Sequence, residues 1–445
     1  MQQYIGRRTM LLGAIASGLA TRGTRAEPAA LPIVFVHGNG DTAGLWLTTL
    51  WRFETNGTPR DRMFALDLRY PLARSIETTP QAGRSSADDV MRQLATEVTR
   101  VLALTGAPKV ALVAQSRGGN TVRNYLKNGG GAAHTAIAVL CGAVNHGVIV
   151  SDKYLVGSEF NGASPFMRNL NSTLDEVLPG IAFTTIRSDR EDKYAQPDGR
   201  YLGQPGVATG LSFDAPDLKG ATKIVLPGVD HRETGFCPAA FAVIHQAVSG
   251  KPPESLDIAP EPRPALTGKV SGFEAGAATN IGIPGVPVTI WRTDARTGAR
   301  LGQAAHDVVT DGDGIWPEFA ADPSATYEFV VSAPGYPVTH IYRSPFPRGS
   351  RYVHIRPQPF GPQDAAASGV VYMTRPRGYF RRDQGTLSIN GAMPADIPDG
   401  VPTVATTRLV ADPGTEARGV FNDEAITARA WPAHENHVSV IELTS

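Results

Sequence analysis

Cysteine is nearly missing from this chain: there are two in 445 residues, Cys141 and Cys237. That excludes a disulfide-dense scaffold and leaves either a single bridge or two thiols buried as small apolar side chains. A surplus of charge is missing too. With 42 basic and 42 acidic side chains, the chain has no electrostatic footprint for nucleic acid. It also lacks an apolar run of bilayer-spanning length. The apolar stretch near its start, Met10 to Ala20, is too short, and no stable membrane span is expected in the mature protein. At this length one hydrophobic core does not suffice, so two or three domains are expected.

What is present begins with "MQQYIGRRTMLLGAIASGLATRGTRAEPAA". The pair Arg7 and Arg8, the short apolar run and the small residues ending near Ala26 read as a twin-arginine-type export signal over residues 1–26, cleaved near Ala20 or Ala26. The expected location is therefore periplasmic or secreted; an uncleaved anchor is the alternative. Residues 27–250 alternate short apolar runs, "PIVFVHG", "RMFALDL", "KVALVAQ", "TAIAVLCG", "IAFTTIRS" and "TKIVLPG", with helical stretches. That alternation predicts an α/β domain with a doubly wound, mostly parallel sheet. In the helix between the second and third runs, Val90, Leu94, Val98 and Val101 share a face. Ser86 and Asp89 form a capping box, and Gly106 is the stop. A proline-rich linker spans 251–265. Beyond it, "GVPVTIWRT", "YEFVVSA", "VTHIYRS" and "RYVHIRP" alternate apolar and polar residues and predict a β-sandwich over 266–358. A second all-β segment, 359–445, is either its own module or completes the first. Trp291, Trp316, Tyr336 and Tyr342 read as exposed aromatics. The β modules either hold the first domain on a surface or pack on it and complete its fold or pocket. Asp311 and Asp313 lack the spacing of a full calcium loop and read as turn residues.

One stretch carries chemistry. In "VALVAQSRGGNTVRNYL", residues 110–126, a buried strand gives way to a helix at Ser116, with the small residues Ala114 and Gly118 on either side. The alternatives are a nucleophile on a tight strand-to-helix turn and a serine that caps a helix. A serine nucleophile needs a base, a carboxylate to hold the base, and donors for an oxyanion. "HGNG" at 37–40 ends an early strand, and the backbone N–H of Asn39 is a candidate to join that of Arg117 in an oxyanion hole. The base candidate is His231 in "VLPGVDHRETGF", a loop at the carboxyl end of a late strand. His245 reads as a surface residue on the following helix, and His134 and His146 are poorly situated for the role. The loop after "IAFTTIRS" offers Asp189, Glu191 and Asp192 as the acid.

"HGNG", "AQSRGG", the loop at 189–192 and "GVDH", in the order nucleophile, acid, histidine, resemble the α/β-hydrolase superfamily over roughly residues 31–248. Asp192, followed by Lys193, Tyr194 and Pro197, matches the acid loop of lipase-like sequences better than Asp189, which stays the alternative acid. Ala114 at the first elbow position is similar to small bacterial secreted lipases. "GSEFNGASPFMRNLNS" resembles the segment before the acid in lipases and polyester depolymerases. The β modules after such a domain resemble the arrangement of an archaeal lipase, and the turn-rich segments near 290–318 resemble transthyretin-type or carboxypeptidase-regulatory-type sandwiches. The resemblance implies an α/β-hydrolase fold with C-terminal all-β sandwich-like domains and a lipase or esterase with Ser116, Asp192 and His231 as its triad. It implies no cofactor or metal, and a lipid or other ester as partner. A polyester depolymerase is the alternative enzyme; a non-catalytic binding protein on a hydrolase scaffold is the alternative class. Arg117 departs from the usual apolar residue. It either sets a cation near the cleft, favouring an anionic or polar substrate, or salt-bridges to a carboxylate. A lid is expected within 146–178.

Overall fold

The computed structural model describes residues 31–445 apart from 365 and 384. The expected export signal, residues 1–26, lies outside the described residues. The six apolar runs form one parallel sheet from β1 (Ile33–Val36), β2 (Met63–Leu66), β3 (Val110–Gln115), β4 (Thr135–Cys141), β5 (Ala182–Ser188) and β6 (Thr222–Leu226). Their order across the sheet is β6-β5-β4-β3-β1-β2. Every residue of β3 is buried, as a strand covered on both faces must be.

Alternate side chains of these strands enter two separate cores. Val34, Val36, Leu112 and Ala114 meet α2 (Ala87–Thr105) and α3 (Arg117–Asn128) through Val90, Leu94, Val98, Val122 and Leu126. Ile33, Phe35, Ala111 and Val113 meet α1 (Leu47–Thr55) and α4 (Pro238–Ser249) through Leu50, Phe53, Phe241 and Ile244. Helix α2 starts at the Ser86–Asp89 capping box and stops at Gly106 in the left-handed region, φ +64°, where glycine carries no Cβ penalty. His245 is not the surface residue its helical position implies. It is 3% exposed, lying against the rings of Phe53 and Phe241 with Nδ1 3.0 Å from the Lys251 carbonyl, because the chain folds back over the end of α4.

Residues 251–264 contain no helix or strand, yet they are anchored along α1. Asn56 Nδ2 donates to Ser255 O at 2.8 Å, and its Oδ1 accepts from Glu254 N at 2.7 Å. The β region that follows is built on a seven-stranded sheet made of β7 (Pro287–Thr293), β8 (His306–Val309), β9 (Thr326–Val331), β10 (Val338–Arg343), β11 (Val370–Thr374), β12 (Thr406–Val410) and β13 (His437–Glu442). The order is β8-β7-β9-β10-β13-β11-β12. Strand β13 runs parallel to both β10 and β11, so one sheet takes strands from both all-β segments. Its faces separate cleanly. Val370, Tyr372 and Val440 enter one core with Trp316 and Phe329, while Val371, Met373 and Ile441 enter another with Phe421 and Ile426 of a three-stranded sheet.

Trp316 and Tyr342 are core residues, 0% and 1% exposed, against the reading of both as exposed. Trp316, on a separate two-stranded sheet, packs into the core under one face of the large sheet, and Tyr342 of β10 enters the core on the other face, because both faces of the large sheet are covered. "RYVHIRP" makes one isolated bridge, at Ile355, rather than a regular strand. Asp311 Oδ1 accepts from Asp313 N and Ile315 N, both at 2.9 Å, which is turn geometry. The two halves of the chain also share a core. Leu47 and Trp51 of α1 belong to the apolar cluster of the β region, and Trp51 Nε1 donates to Gly349 O at 3.0 Å.

Candidate active site

Strand β3 ends at Gln115 and α3 begins at Arg117, so Ser116 makes the whole reversal. Its φ of +54° and ψ of −125° lie where non-glycine residues are rare, at a cost on the order of 1–3 kcal/mol. The neighbouring glycines make room for it. A Cβ on Gly118 would stand 2.5 Å from Val36 O, and one on Gly119 would stand 2.4 Å from Ala143 Cβ, so α3 approaches the sheet this closely only without side chains there. The result is a hydroxyl lifted onto the wall of a cavity of about 330 Å³.

Two later loops bring the partners. His231, after β6, has Nε2 2.8 Å from Ser116 Oγ and Nδ1 2.8 Å from Asp192 Oδ2. All three residues are buried. Asp192, after β5, is fixed by accepting from Tyr194 N at 2.8 Å. The His231 carbonyl accepts from Gln115 Nε2 at 3.0 Å and Thr234 Oγ1 at 2.7 Å, and the Tyr194 ring meets the imidazole edge-on at 4.7 Å. Asp189 does not reach the histidine. Its Oδ1 accepts from Arg190 N at 2.7 Å and Gly228 N at 3.1 Å. Burial raises its pKa, but those donors more than offset this and hold it below the ordinary range.

The turn at 37–40 lies beside the serine: a Cβ on Gly38 would be 2.9 Å from Ser116 Cβ. Asn39 lines the cavity, and its Oδ1 accepts from Ala73 N at 2.8 Å. The Arg117 side chain corrects the reading of a cation in the cleft. It is fully buried, pairs with Glu159 at 2.5 Å, and donates to Pro71 O and Ser85 O, both at 2.9 Å. A guanidinium this far from water requires a carboxylate and saturated donors, and it finds them behind the elbow.

The cation at the cavity is Arg232, which pairs with Asp41 at 2.8 Å. The cavity has an apolar side of Val144, Val148, Ile149, Phe160 and Leu202. Five of its lining residues, Val148, Ile149, Tyr154, Leu155 and Phe160, come from the segment expected to hold a lid. The other side is polar and includes Asn39, Asp41, Gln115 and Tyr379. Tyr379 belongs to the β region, and nothing in its local sequence signals a cavity residue. Cys141 and Cys237 are free thiols; burial raises the pKa of both, that of Cys237 to about 11. Among the described residues, no group of three or more His, Cys, Asp or Glu side chains is arranged to hold a metal ion, and no helix is long and apolar enough to cross a membrane.

A parallel sheet of this order, wrapped on both faces and bearing a serine on the sharp turn after a central strand, defines an α/β hydrolase. More narrowly, the chain is a lipase/esterase-like α/β hydrolase with a C-terminal domain: residues 30–151 match the class 2 lipase family and residues 264–359 match the lipase C-terminal domain. Among solved structures, lipase B of Aspergillus fumigatus is similar at 17% identity over 52% of this chain, with a TM-score of 0.36. The match spans only 55% of that protein. The propeptide form of Bacillus licheniformis lipase BlEst2 aligns over 90% of this chain and 96% of its own, at 14% identity and a TM-score of 0.37. An esterase of Pyrobaculum calidifontis aligns over 50% of this chain and 77% of its own, at 16% identity and a TM-score of 0.33. At these TM-scores the neighbours carry no weight for the site.

Proposed function

We propose that the protein is an exported serine carboxylic-ester hydrolase. The observation that carries this reading is the unbroken chain from Asp192 through His231 to Ser116 Oγ, with both bonds at 2.8 Å, at the wall of a cavity. In the tautomer the reaction needs, His231 Nδ1–H donates to Asp192, and Nε2 accepts the serine proton as Oγ attacks the ester carbonyl. The backbone N–H groups of Asn39 and Arg117 take the oxyanion. The alcohol leaves with the proton held by His231, and water then releases the acid by the reverse sequence. The apolar side of the cavity suits an acyl chain, and the polar side, with the Asp41–Arg232 pair, suits the alcohol. A volume near 330 Å³ is at the low end of ligand pockets, roughly 300–1,000 Å³, and favours short or medium acyl esters over bulky ones. Export follows from Arg7, Arg8 and the apolar run after them.

The test is hydrolysis of p-nitrophenyl esters of rising chain length together with a polyester film, on wild type and Ser116→Ala. Expected are a maximum at short to medium chains, loss of that activity in the variant, and fluorophosphonate labelling of wild type alone. Film degradation with little ester turnover would move the substrate to polymers. A variant keeping more than about a tenth of the activity would overturn the serine mechanism, since triad knockouts leave far less.

A further inference from the structure

The loop that carries His231 is held from the β region. Asp230 and Glu233 bracket the histidine, and both carboxylates converge on Arg375. Asp230 Oδ2 accepts from Arg375 Nη1 at 3.0 Å and from Tyr379 N at 2.7 Å. Glu233 Oε1 accepts from Arg375 Nη2 at 2.5 Å, and its Oε2 accepts from Asp230 N at 2.7 Å. Asp230 Oδ1 takes the backbone N–H of Arg232 at 2.7 Å and of Glu233 at 2.9 Å. The Arg232 side chain in turn donates to Pro376 O at 3.1 Å. Arg375 is fixed further by Nη1 donating to Tyr379 O at 2.6 Å and by Nε donating to Ser445 O at 2.9 Å. Asp230 is 0% exposed and Arg375 3%, so this clamp is shielded from water and stiff. Tyr379, four residues on, turns its ring into the Ser116 cavity, with Lys193 Nζ 4.0 Å and Arg232 Cζ 5.1 Å from the ring centre.

We infer that Arg375 is a positioning residue for His231 and that Tyr379 is a specificity-determining wall of the substrate cavity, so the reaction centre is shared between the two halves of the chain. The inference rests on the reading of Ser116, His231 and Asp192 as the reacting set. The physical reason is leverage. The guanidinium fork fixes the residues on both sides of His231, and a displacement near 1 Å at a reacting group costs about 100-fold. A lysine keeps the charge but has no planar fork with which to hold two carboxylates.

The experiment uses full-length protein with Arg375→Lys, the double variant Asp230→Asn/Arg375→Gln, and Tyr379→Ala, each followed by thermal unfolding, kcat and KM on soluble esters, pH–rate profiles and fluorophosphonate labelling rate. For Arg375→Lys, kcat and the labelling rate should fall together by about 10- to 100-fold while KM changes little. The double variant removes the fully buried Asp230–Arg375 charge pair and leaves only the partly exposed Glu233 carboxylate, and so separates charge burial from positioning: a melting temperature near wild type with low kcat is expected. Tyr379→Ala should raise KM about tenfold, the size of one aromatic contact, and shift preference toward larger esters. Wild-type kcat, KM and pH profile in a folded Arg375→Lys or double variant would overturn the positioning role. Unchanged KM and chain-length preference in Tyr379→Ala would overturn the wall. An active Ser116→Ala marks the separate failure of the catalytic reading.

Discussion

Each half of the molecule holds a carboxylate–imidazole chain. In the hydrolase half, Asp192, His231 and Ser116 are linked at 2.8 Å and 2.8 Å. In the β region, Glu328 Oε1 lies 2.7 Å from His340 Nδ1, and His340 Nε2 lies 2.8 Å from His437 Nδ1. The distances match, but the surroundings do not. Glu328 is shared with Arg300, at 2.6 Å and 3.0 Å. Both imidazoles stack on Trp431 at 4.1 Å and 5.7 Å, and the third member is another imidazole. None of the three lines the Ser116 cavity. The β-region chain sits on the neighbouring strands β9, β10 and β13 and ties the two all-β segments together. A short carboxylate–imidazole bond is thus no mark of a reaction centre. What sets Ser116 apart is a strained backbone that presents a hydroxyl to a cavity, with glycine turns alongside.

The sharpest contrast comes from the ends of the two chains. Ser116→Ala should cost on the order of 10⁶ in turnover, as for other triad nucleophiles, whereas His437→Asn should leave hydrolysis within about twofold, the size of a surface change remote from the site. Comparable losses in both variants would erase the distinction. The carboxylates come next. Asp192→Asn presents the wrong hydrogen-bonding partner to the imidazole and should cost about 10⁴ in kcat with folding intact, while Asp189→Asn should be mild. Glu328→Gln should do the reverse. Its kcat stays near wild type and its unfolding free energy falls by about 3 kcal/mol, because a buried pair is broken; denaturant titration alongside kinetics reads both.

A smaller effect tests how far the two halves are separate. Trp51→Ala empties a site in the shared core and should cost about 3–5 kcal/mol, with both halves still unfolding in one transition. A chain ending near Pro260 should melt lower and lose activity on soluble and emulsified esters together, since it lacks Arg375 and Tyr379. Full activity on the soluble ester would make the β region a mere tether.

The least effect is set by pH. Burial pushes His340, His437 and His37 below the ordinary 6.5. Near pH 6 these three side chains therefore bind more protons in the unfolded chain than in the folded one, and their contribution to stability rises with pH there. Their contribution to the melting temperature should be constant above about pH 7 and be lost between about pH 6.5 and 5. His340→Gln should flatten that slope, and an unchanged slope would remove this cluster as its source.

What the sequence determined by itself was local. Six short apolar runs define six strands, since a run buried on both faces has no other stable partner than a covered parallel sheet. Ser86, Asp89 and Gly106 bound a helix through backbone groups a few residues apart. Small residues around Ser116 make a turn that larger ones would block, and the chain order brings loops after the fifth and sixth strands to the same edge of the sheet. Tertiary structure decided the rest. It turned Arg117 away to Glu159, brought Asp192 rather than Asp189 to His231, buried His245, Trp316 and Tyr342, left Cys141 and Cys237 as free thiols, and drew Arg375 and Tyr379 across more than a hundred residues of chain to the loop at 230–233. The physical reason is range. Backbone hydrogen bonds and side-chain periodicity act between neighbours and leave a pattern in the sequence. The partner of a buried charge is chosen by which surfaces pack together, and packing joins residues whose separation along the chain carries no signal.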